Sequence, residues 1–79
     1  MIASVRGKLL RVDGERAVVE LGGLGLEVLA SGRTLGSLVP HVGEEVGLYT
    51  YLNVREDALQ LFGFREPGER TFFLWLTAV

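Results

Sequence analysis

The sequence predicts an all-β domain: a small five-stranded barrel followed by the start of a C-terminal α-helix. Apolar and polar residues alternate with a period of two across the first two thirds of the chain, and glycine-containing turns separate the alternating runs. At Pro67 the period changes to that of a helix. The barrel is therefore expected over residues 1–64, and a linker with a helix over residues 65–79.

The first three strands are predicted over residues 2–12, 17–21 and 24–30. Asp13-Gly14 between the first two runs is a strong hairpin signal, because such turns need positive φ angles that glycine adopts at little cost. Gly22-Gly23 provides the next corner. Alternation in the third run places Leu24, Leu26, Val28 and Ala30 on one face. The three strands therefore form a meander.

The alternation is interrupted over residues 31–42, where serines, glycines and Pro40 predict a loop or a single helical turn. It resumes over residues 46–53, with Tyr49 and Tyr51 on the face opposite Val46, Leu48, Thr50 and Leu52. A fifth strand is predicted over residues 58–64. Five short strands with one irregular connection after the third suit a closed barrel of the oligonucleotide/oligosaccharide-binding (OB) fold, because closure removes exposed sheet edges.

The C-terminal segment is predicted to be helical from Pro67, since proline is favoured at the first helical position. Phe72, Leu76 and Val79 share one helical face, and Phe73 and Trp75 lie beside it. Such an apolar helix without a C-terminal capping signal predicts the entry to a second domain in a longer chain.

Composition excludes several classes of function. The chain of 79 residues has no cysteine and one histidine, so we expect no disulfide, no metal site and no cofactor. The absence of a long apolar run or a signal-peptide pattern predicts a cytoplasmic protein without a membrane partner. A net charge of -2 argues against nucleic-acid binding through bulk positive charge, so any DNA-binding cations must be spatially segregated.

Two sets of side chains are candidates for nucleic-acid contact. Arg6 and Lys8 project to the same face of the first strand, where they can reach phosphates or simply be solvated. Tyr49 and Tyr51 can stack on bases, but packing against the C-terminal helix or a neighbouring subunit is the favoured interpretation. The aromatic residues Phe62, Phe64, Phe72, Phe73 and Trp75 are likewise expected in a core or an interface.

The segment Arg55-Glu56-Asp57 is predicted at the tip between strands four and five. On composition alone, two adjacent carboxylates on a turn are ordinary solvated residues. They do not predict catalysis, because paired acid and base carboxylates face each other across a cleft. The sequence also lacks a serine–histidine or cysteine–histidine arrangement, so we expect a protein that is not an enzyme.

Residues 53–64, with the sequence NVREDALQLFGF, resemble the signature of the RuvA family of Holliday-junction-binding subunits. Met1-Ile2, Arg6-Gly7, the segments GGLG (22–25) and Glu27-Val28, and the residues Glu69, Arg70, Thr71 and Phe73 follow the same order and spacing. The resemblance covers essentially the whole chain. It implies an N-terminal OB-fold domain followed by the first helix of a helix-hairpin-helix domain that lies beyond this sequence.

The resemblance also implies a role for the tip. In the family, a homotetramer gathers the acidic pair that matches Glu56 and Asp57 into a pin near its fourfold axis, where the junction strands cross. It implies Holliday junction DNA and the RuvB motor ATPase as partners, in the SOS response to DNA damage, in recombination and in repair. Arg6, Lys8 and Arg55 are then the expected contacts to the DNA backbone. The alternative from the residues alone is a generic OB barrel that binds single strands or serves in oligomerisation.

Overall fold

A computed structural model describes residues 2–77 of the chain. The strands are β1 (Ser4–Asp13), β2 (Arg16–Leu21), β3 (Leu24–Leu29), β4 (Glu45–Val54) and β5 (Leu59–Phe64), and the helices are α1 (Gly32–Leu38), a short 3-10 turn (Val39–His41) and α2 (Pro67–Thr77). The strands form a closed barrel in the order β1-β2-β3-β5-β4. The predicted OB-type barrel and C-terminal helix are confirmed.

Strand pairing follows the predicted meander. β1, β2 and β3 pair antiparallel in sequence order, β4 pairs antiparallel with both β1 and β5, and a single parallel pair between Leu29 and Phe62 closes the barrel. The sheet register is irregular between Leu9 and Arg11, which leaves Leu10 41% exposed. Closure requires a close approach at Gly63, where an added Cβ would collide with the Cγ1 atom of Val28.

The core lies inside the barrel and is built from the inward residues of every strand. The predicted inner face of β4 is confirmed: Val46, Leu48 and Thr50 are buried, and Leu52 is half-buried. On β3, Val28 is fully buried but Leu24 is exposed, because it lies next to the turn that joins β2 to β3. The other buried hydrophobic residues of the strands are Val5, Leu9, Ala17, Val19 and Leu61.

The segment after β3 is more helical than predicted. Residues 32–38 form the helix α1 instead of a loop or a single turn. The Ser31 side chain caps it by accepting a hydrogen bond from the Thr34 N–H at 3.2 Å, and Leu35 and Leu38 turn into the core. The serine cap and the spacing of the two leucines were the signals in the sequence, but the glycines at 32 and 36 obscured them.

Helix α2 lies against the outer face of β4 and β5. Arg70 Nε donates a hydrogen bond of 2.6 Å to the Thr50 carbonyl, and the Phe73 ring lies 5.1 Å from that of Phe62. The helix meets the barrel through Phe73 and not through the face that Phe72 and Leu76 share. Since Arg70 and Phe73 face the barrel, the helical repeat turns Phe72, Trp75 and Leu76 outward, where they are 59%, 74% and 63% exposed. Val79 lies outside the described residues.

Thr50 joins three parts of the molecule at the middle of β4. Its hydroxyl donates to the Ile2 carbonyl at 2.9 Å, its N–H donates to the Ala3 carbonyl at 2.8 Å, and its carbonyl accepts from Arg70. The residue is fully buried, so each of these polar atoms needs the partner it has. The chain start, the barrel and α2 are therefore tied together at one point.

Candidate nucleic-acid interface

The β4–β5 hairpin ends in a four-residue tip, Arg55 to Ala58. The last strand pair joins Val54 to Leu59, and the Arg55 N–H donates to the Ala58 carbonyl at 2.9 Å. β1 pairs only with the first half of β4, so the far end of the hairpin extends beyond that pairing. Val54 and Leu59 are accordingly 68% and 71% exposed. The tip is held in place by backbone hydrogen bonds rather than by packing.

Glu56 and Asp57 occupy the two central positions of this tip, and both are exposed. Within the described residues 2–77, neither carboxylate forms an ion pair. Arg55 lies beside them, and its side chain lines a groove with Asn53, Gln60 and Phe73 between the tip and α2. The tip therefore presents two uncompensated negative charges in solvent, with one cation at its base.

The structure places Arg6 and Lys8 at the opposite end of β4 from the tip. Arg6 pairs with Gly47 and Lys8 with Glu45 across the β1–β4 register. Lys8 also pairs with Glu20 on β2, so carboxylates flank it on both neighbouring strands. Eight residues of strand separate Gly47 from Arg55, which corresponds to about 26 Å at about 3.3 Å per residue. The three cations singled out in the sequence therefore do not form one cluster.

Arg6 makes a weak contact that leaves its charge accessible. Its Nη1 lies 3.8 Å from Glu45 Oε2, and both side chains are about 70% exposed, at 71% and 69%. Ion pairs this exposed contribute about 0–1 kcal/mol and are easily exchanged for another anion. The guanidinium lies over Gly47, where an added Cβ would be 3.0 Å from Nη2.

The two tyrosines of β4 have different surroundings. Tyr51 is half-buried, with its ring 6.0 Å from that of Phe73, so the favoured interpretation, packing against the C-terminal helix, is confirmed for this residue. Phe62 and Phe64 pack on the same helix residue. Tyr49 is 42% exposed and lies near Arg6. A two-ring stacking surface is therefore not formed, because α2 covers Tyr51.

Arg65 is a further candidate that the sequence did not indicate. This residue precedes α2, lines the same cleft as Arg6 and Tyr49, and is only partly exposed. Its Nη1 atom is buried without a hydrogen bond to any residue from 2 to 77. No local signal in the sequence marks it, because the cleft forms only when the linker folds back beside β1 and β4.

The described part of the chain has features of a binding surface and lacks those of a metal centre. Among the described residues, no group of histidines and carboxylates could hold a metal ion, and none of the helices is long and apolar enough to cross a membrane. The arrangement offers two separated charged regions: an acidic tip on the β4–β5 hairpin, and a cleft beside the other end of β4 whose arginines come from β1 and from the residue after β5.

Comparison with known proteins identifies the family. A family model described as the RuvA N terminal domain matches residues 1–63. The Holliday junction branch migration complex subunit RuvA of Gloeobacter violaceus is 52% identical over 83 aligned residues, and those of Chloroflexus aurantiacus and Bdellovibrio bacteriovorus are 46% and 42% identical over 79. Each alignment covers 100% of this chain and 40% of the relative, so the chain spans about two fifths of their length. On the match over most of its length and on these identities, the chain belongs to the RuvA N-terminal domain family.

Proposed function

We propose that this chain acts in a non-catalytic subunit that binds Holliday junctions and supports branch migration in recombinational DNA repair. The named relatives are subunits of a Holliday junction branch migration complex, and that function is carried over to this chain. The observation that carries the mechanism is the hairpin tip, which exposes Glu56 and Asp57 without a compensating ion pair among residues 2–77.

The proposed role of the tip is to repel DNA backbone at the centre of the junction. Four copies around an axis bring together eight carboxylates, two from each tip. At about 8–10 Å in water, each carboxylate and phosphate repel by about 0.4–0.5 kcal/mol. Summed over the cluster, the repulsion reaches a few kcal/mol, which is enough to disfavour a continuous duplex across the centre. An open junction places its diverging strands around the tips and avoids this cost.

Attraction must come from elsewhere on the protein. Arg55 belongs to the tip, whereas Lys8 lies about 33 Å and Arg6 about 26 Å along β4 from it, at about 3.3 Å per residue. Both distances exceed the screening length of about 8 Å at physiological salt, so the acidic tip does not weaken these cations. A distribution of this kind permits backbone binding by a chain whose net charge is -2.

The remaining parts of the proposal concern the longer protein. We propose that α2 is the first helix of a helix-hairpin-helix domain and that the subunit works as a homotetramer in the cytoplasm with a RuvB-type motor ATPase. The relatives are about two and a half times as long as this chain, which leaves room for such domains. The outward apolar residues Phe72, Trp75 and Leu76 are consistent with a helix that packs against further chain.

The test of this function replaces both tip carboxylates with their amides, Glu56→Gln with Asp57→Asn, in the full-length protein. We expect duplex affinity to rise and the preference for a four-way junction over linear duplex to fall by about tenfold or more, since about 1.4 kcal/mol corresponds to a factor of ten. Dissociation constants for a four-way junction and for a duplex of the same arm sequence measure the preference.

The charge control is Asp13→Asn with Glu15→Gln, which removes two carboxylates at the β1–β2 hairpin, one of them (Asp13) paired with Arg11 at 3.1 Å. If both double variants change the preference equally, the effect is one of net charge and the pin is refuted. Unchanged discrimination in the Glu56 and Asp57 variant also refutes it. If a mass measurement finds that the full-length protein is only monomeric in solution, the four tips are not brought together and the proposed pin is refuted.

A further inference from the structure

The basic cleft at the end of β4 remote from the tip holds an arginine with unused hydrogen-bonding capacity. Ser4, Arg6, Gly47, Tyr49 and Arg65 line the cleft, which has a volume of about 400 Å³ and is open to solvent. Its lining contains two arginines and no carboxylate. The cleft is therefore positive and is bordered by hydroxyl groups.

The state of Arg65 is the main reason to assign a ligand to this cleft. A buried N–H without an acceptor costs free energy, and its cost is larger on a charged group, so such atoms in folded proteins call for an explanation. Nη1 of Arg65 is in this state with respect to residues 2–77, and because the atom is shielded from solvent, an anion in the cleft meets it only when the guanidinium turns outward. Arg65 also lines a second cleft with Glu66 and Glu69, but within residues 2–77 it forms no ion pair with either carboxylate. Oε1 of Glu69 accepts from the Glu66 N–H at 3.2 Å at the start of α2.

Arg6 supplies a second cation that an anion can recruit. Its contact with Glu45 is long and exposed, so a ligand with more negative charge can displace that carboxylate. Gly47 leaves the space in which the Arg6 guanidinium lies, because a side chain there would press on Nη2 and Cζ. Two guanidinium groups in one cleft match a phosphate group, which accepts paired N–H donors from arginine.

We infer that Arg65 and Arg6 together bind a backbone phosphate of duplex DNA, at a site separate from the acidic tip. Because the cleft and Arg55 lie on the same outer face of β4 about 26 Å apart, at about 3.3 Å per residue, the site contacts an arm of the junction and not its centre. With about 3.4 Å of helix axis per base pair, the contact falls within about eight base pairs of the crossover. This inference deepens the proposed function and rests on it for the identity of the DNA.

The test compares Arg65→Gln with Arg11→Gln in the full-length protein. Arg11 is an exposed arginine near the far end of β1 and pairs with Asp13 at 3.1 Å, so the two variants lose the same charge in different places. Binding of a four-way junction and of a linear duplex is measured over a range of salt concentrations.

For Arg65→Gln we expect both DNAs to bind more weakly by about the same factor, roughly three- to tenfold, because binding to a phosphate carries no junction preference. We also expect the slope of log K against log salt to become shallower by about 0.9 for each phosphate that the protein no longer neutralises. Arg11→Gln should change neither quantity. Equal slopes and affinities for the Arg65 and Arg11 variants overturn the inference.

Arg6→Gln gives a second measurement that does not depend on the folding of the Arg65 variant, because the Arg6 side chain is 71% exposed. It should lower the salt slope as well, and the double variant should lose less than the sum of the two single losses if both arginines hold one phosphate. Additive losses overturn the shared site. If the wild-type protein binds duplex and junction equally, the proposed function is refuted, but the salt slopes still show whether the cleft binds a phosphate. If the wild-type protein binds neither DNA, both the proposed function and the phosphate site are refuted.

Discussion

The two ends of the β4–β5 hairpin differ in what their residues do. At the base, Leu48 is 2% exposed and Thr50 is fully buried within the barrel. At the far end, Val54 and Leu59 are more than two thirds exposed at 68% and 71%, and the Glu56 and Asp57 side chains are in solvent. One hairpin therefore contains both a packed part of the core and an unsupported projection.

This difference shows which residues the fold requires and which it does not. Side chains at the base fill a closed interior, so their size and polarity are fixed by their neighbours. At the tip, packing does not require two adjacent carboxylates, and their mutual repulsion does not stabilise the fold. Their presence is therefore better explained by what they meet outside the chain, and the contrast can be tested by substitutions at both ends.

The largest difference is expected between two leucine truncations on this hairpin. Leu48→Ala should lower the free energy of unfolding by about 2–5 kcal/mol, because it removes buried methyl groups and leaves a cavity. Leu59→Ala, at a position that is 71% exposed, should cost less than about 1 kcal/mol. Urea denaturation of both variants measures the two values. If both truncations lower the free energy of unfolding equally, the far end of the hairpin is packed in solution and does not differ from the base.

A smaller loss is expected from Gly63→Ala, at the base of the hairpin. The new Cβ would press on Val28, which is fully buried and cannot move aside, so we expect a loss of about 1–3 kcal/mol. Gly25→Ala is the matched control on β3, because a Cβ there would be 3.5 Å from Val18 Cγ1, an ordinary contact. Thermal unfolding of the two variants gives the comparison. If Gly63→Ala is no worse than the control, the close approach between β3 and β5 is not required.

The smallest effect on stability is expected at the tip itself. Glu56→Gln with Asp57→Asn should change the free energy of unfolding by no more than about 0.5 kcal/mol, since both side chains are exposed and unpaired among the described residues. Urea denaturation alongside the DNA measurements checks this. A large loss of stability would show that the two carboxylates stabilise the fold, and the two ends of the hairpin would then not differ in this respect.

Much of the fold could be predicted because local patterns and tertiary structure agree. The alternation along β4 predicted its buried face, and Asp13-Gly14 predicted the first hairpin. The tip between β4 and β5 was also located from the sequence, although its proposed pin role came from a family resemblance.

The sequence was least informative where tertiary contacts determine the local structure. Helix α1 depends on Leu35 and Leu38 entering the barrel, which compensates for two glycines in the helix. The face of α2 that meets the barrel is set by the contacts of Arg70 and Phe73, and the helical pattern alone does not identify it. Arg65 was missed because its partners in the cleft come from β1 and β4, about 60 and 20 positions earlier in the chain.

The length of β4 has a consequence for how such domains can vary. Because the acidic loop and the basic cleft are joined by one continuous extended segment, the spacing between them changes only in steps. Removing two residues from each strand near the loop would keep every side chain on its present face and draw the carboxylates back by about 7 Å, whereas removing one would turn the outward face inward. The distance between the acidic tip and the arginines of the cleft therefore changes only in steps of two residues. The length of the hairpin sets how far from these arginines a bound polyanion meets the tip carboxylates.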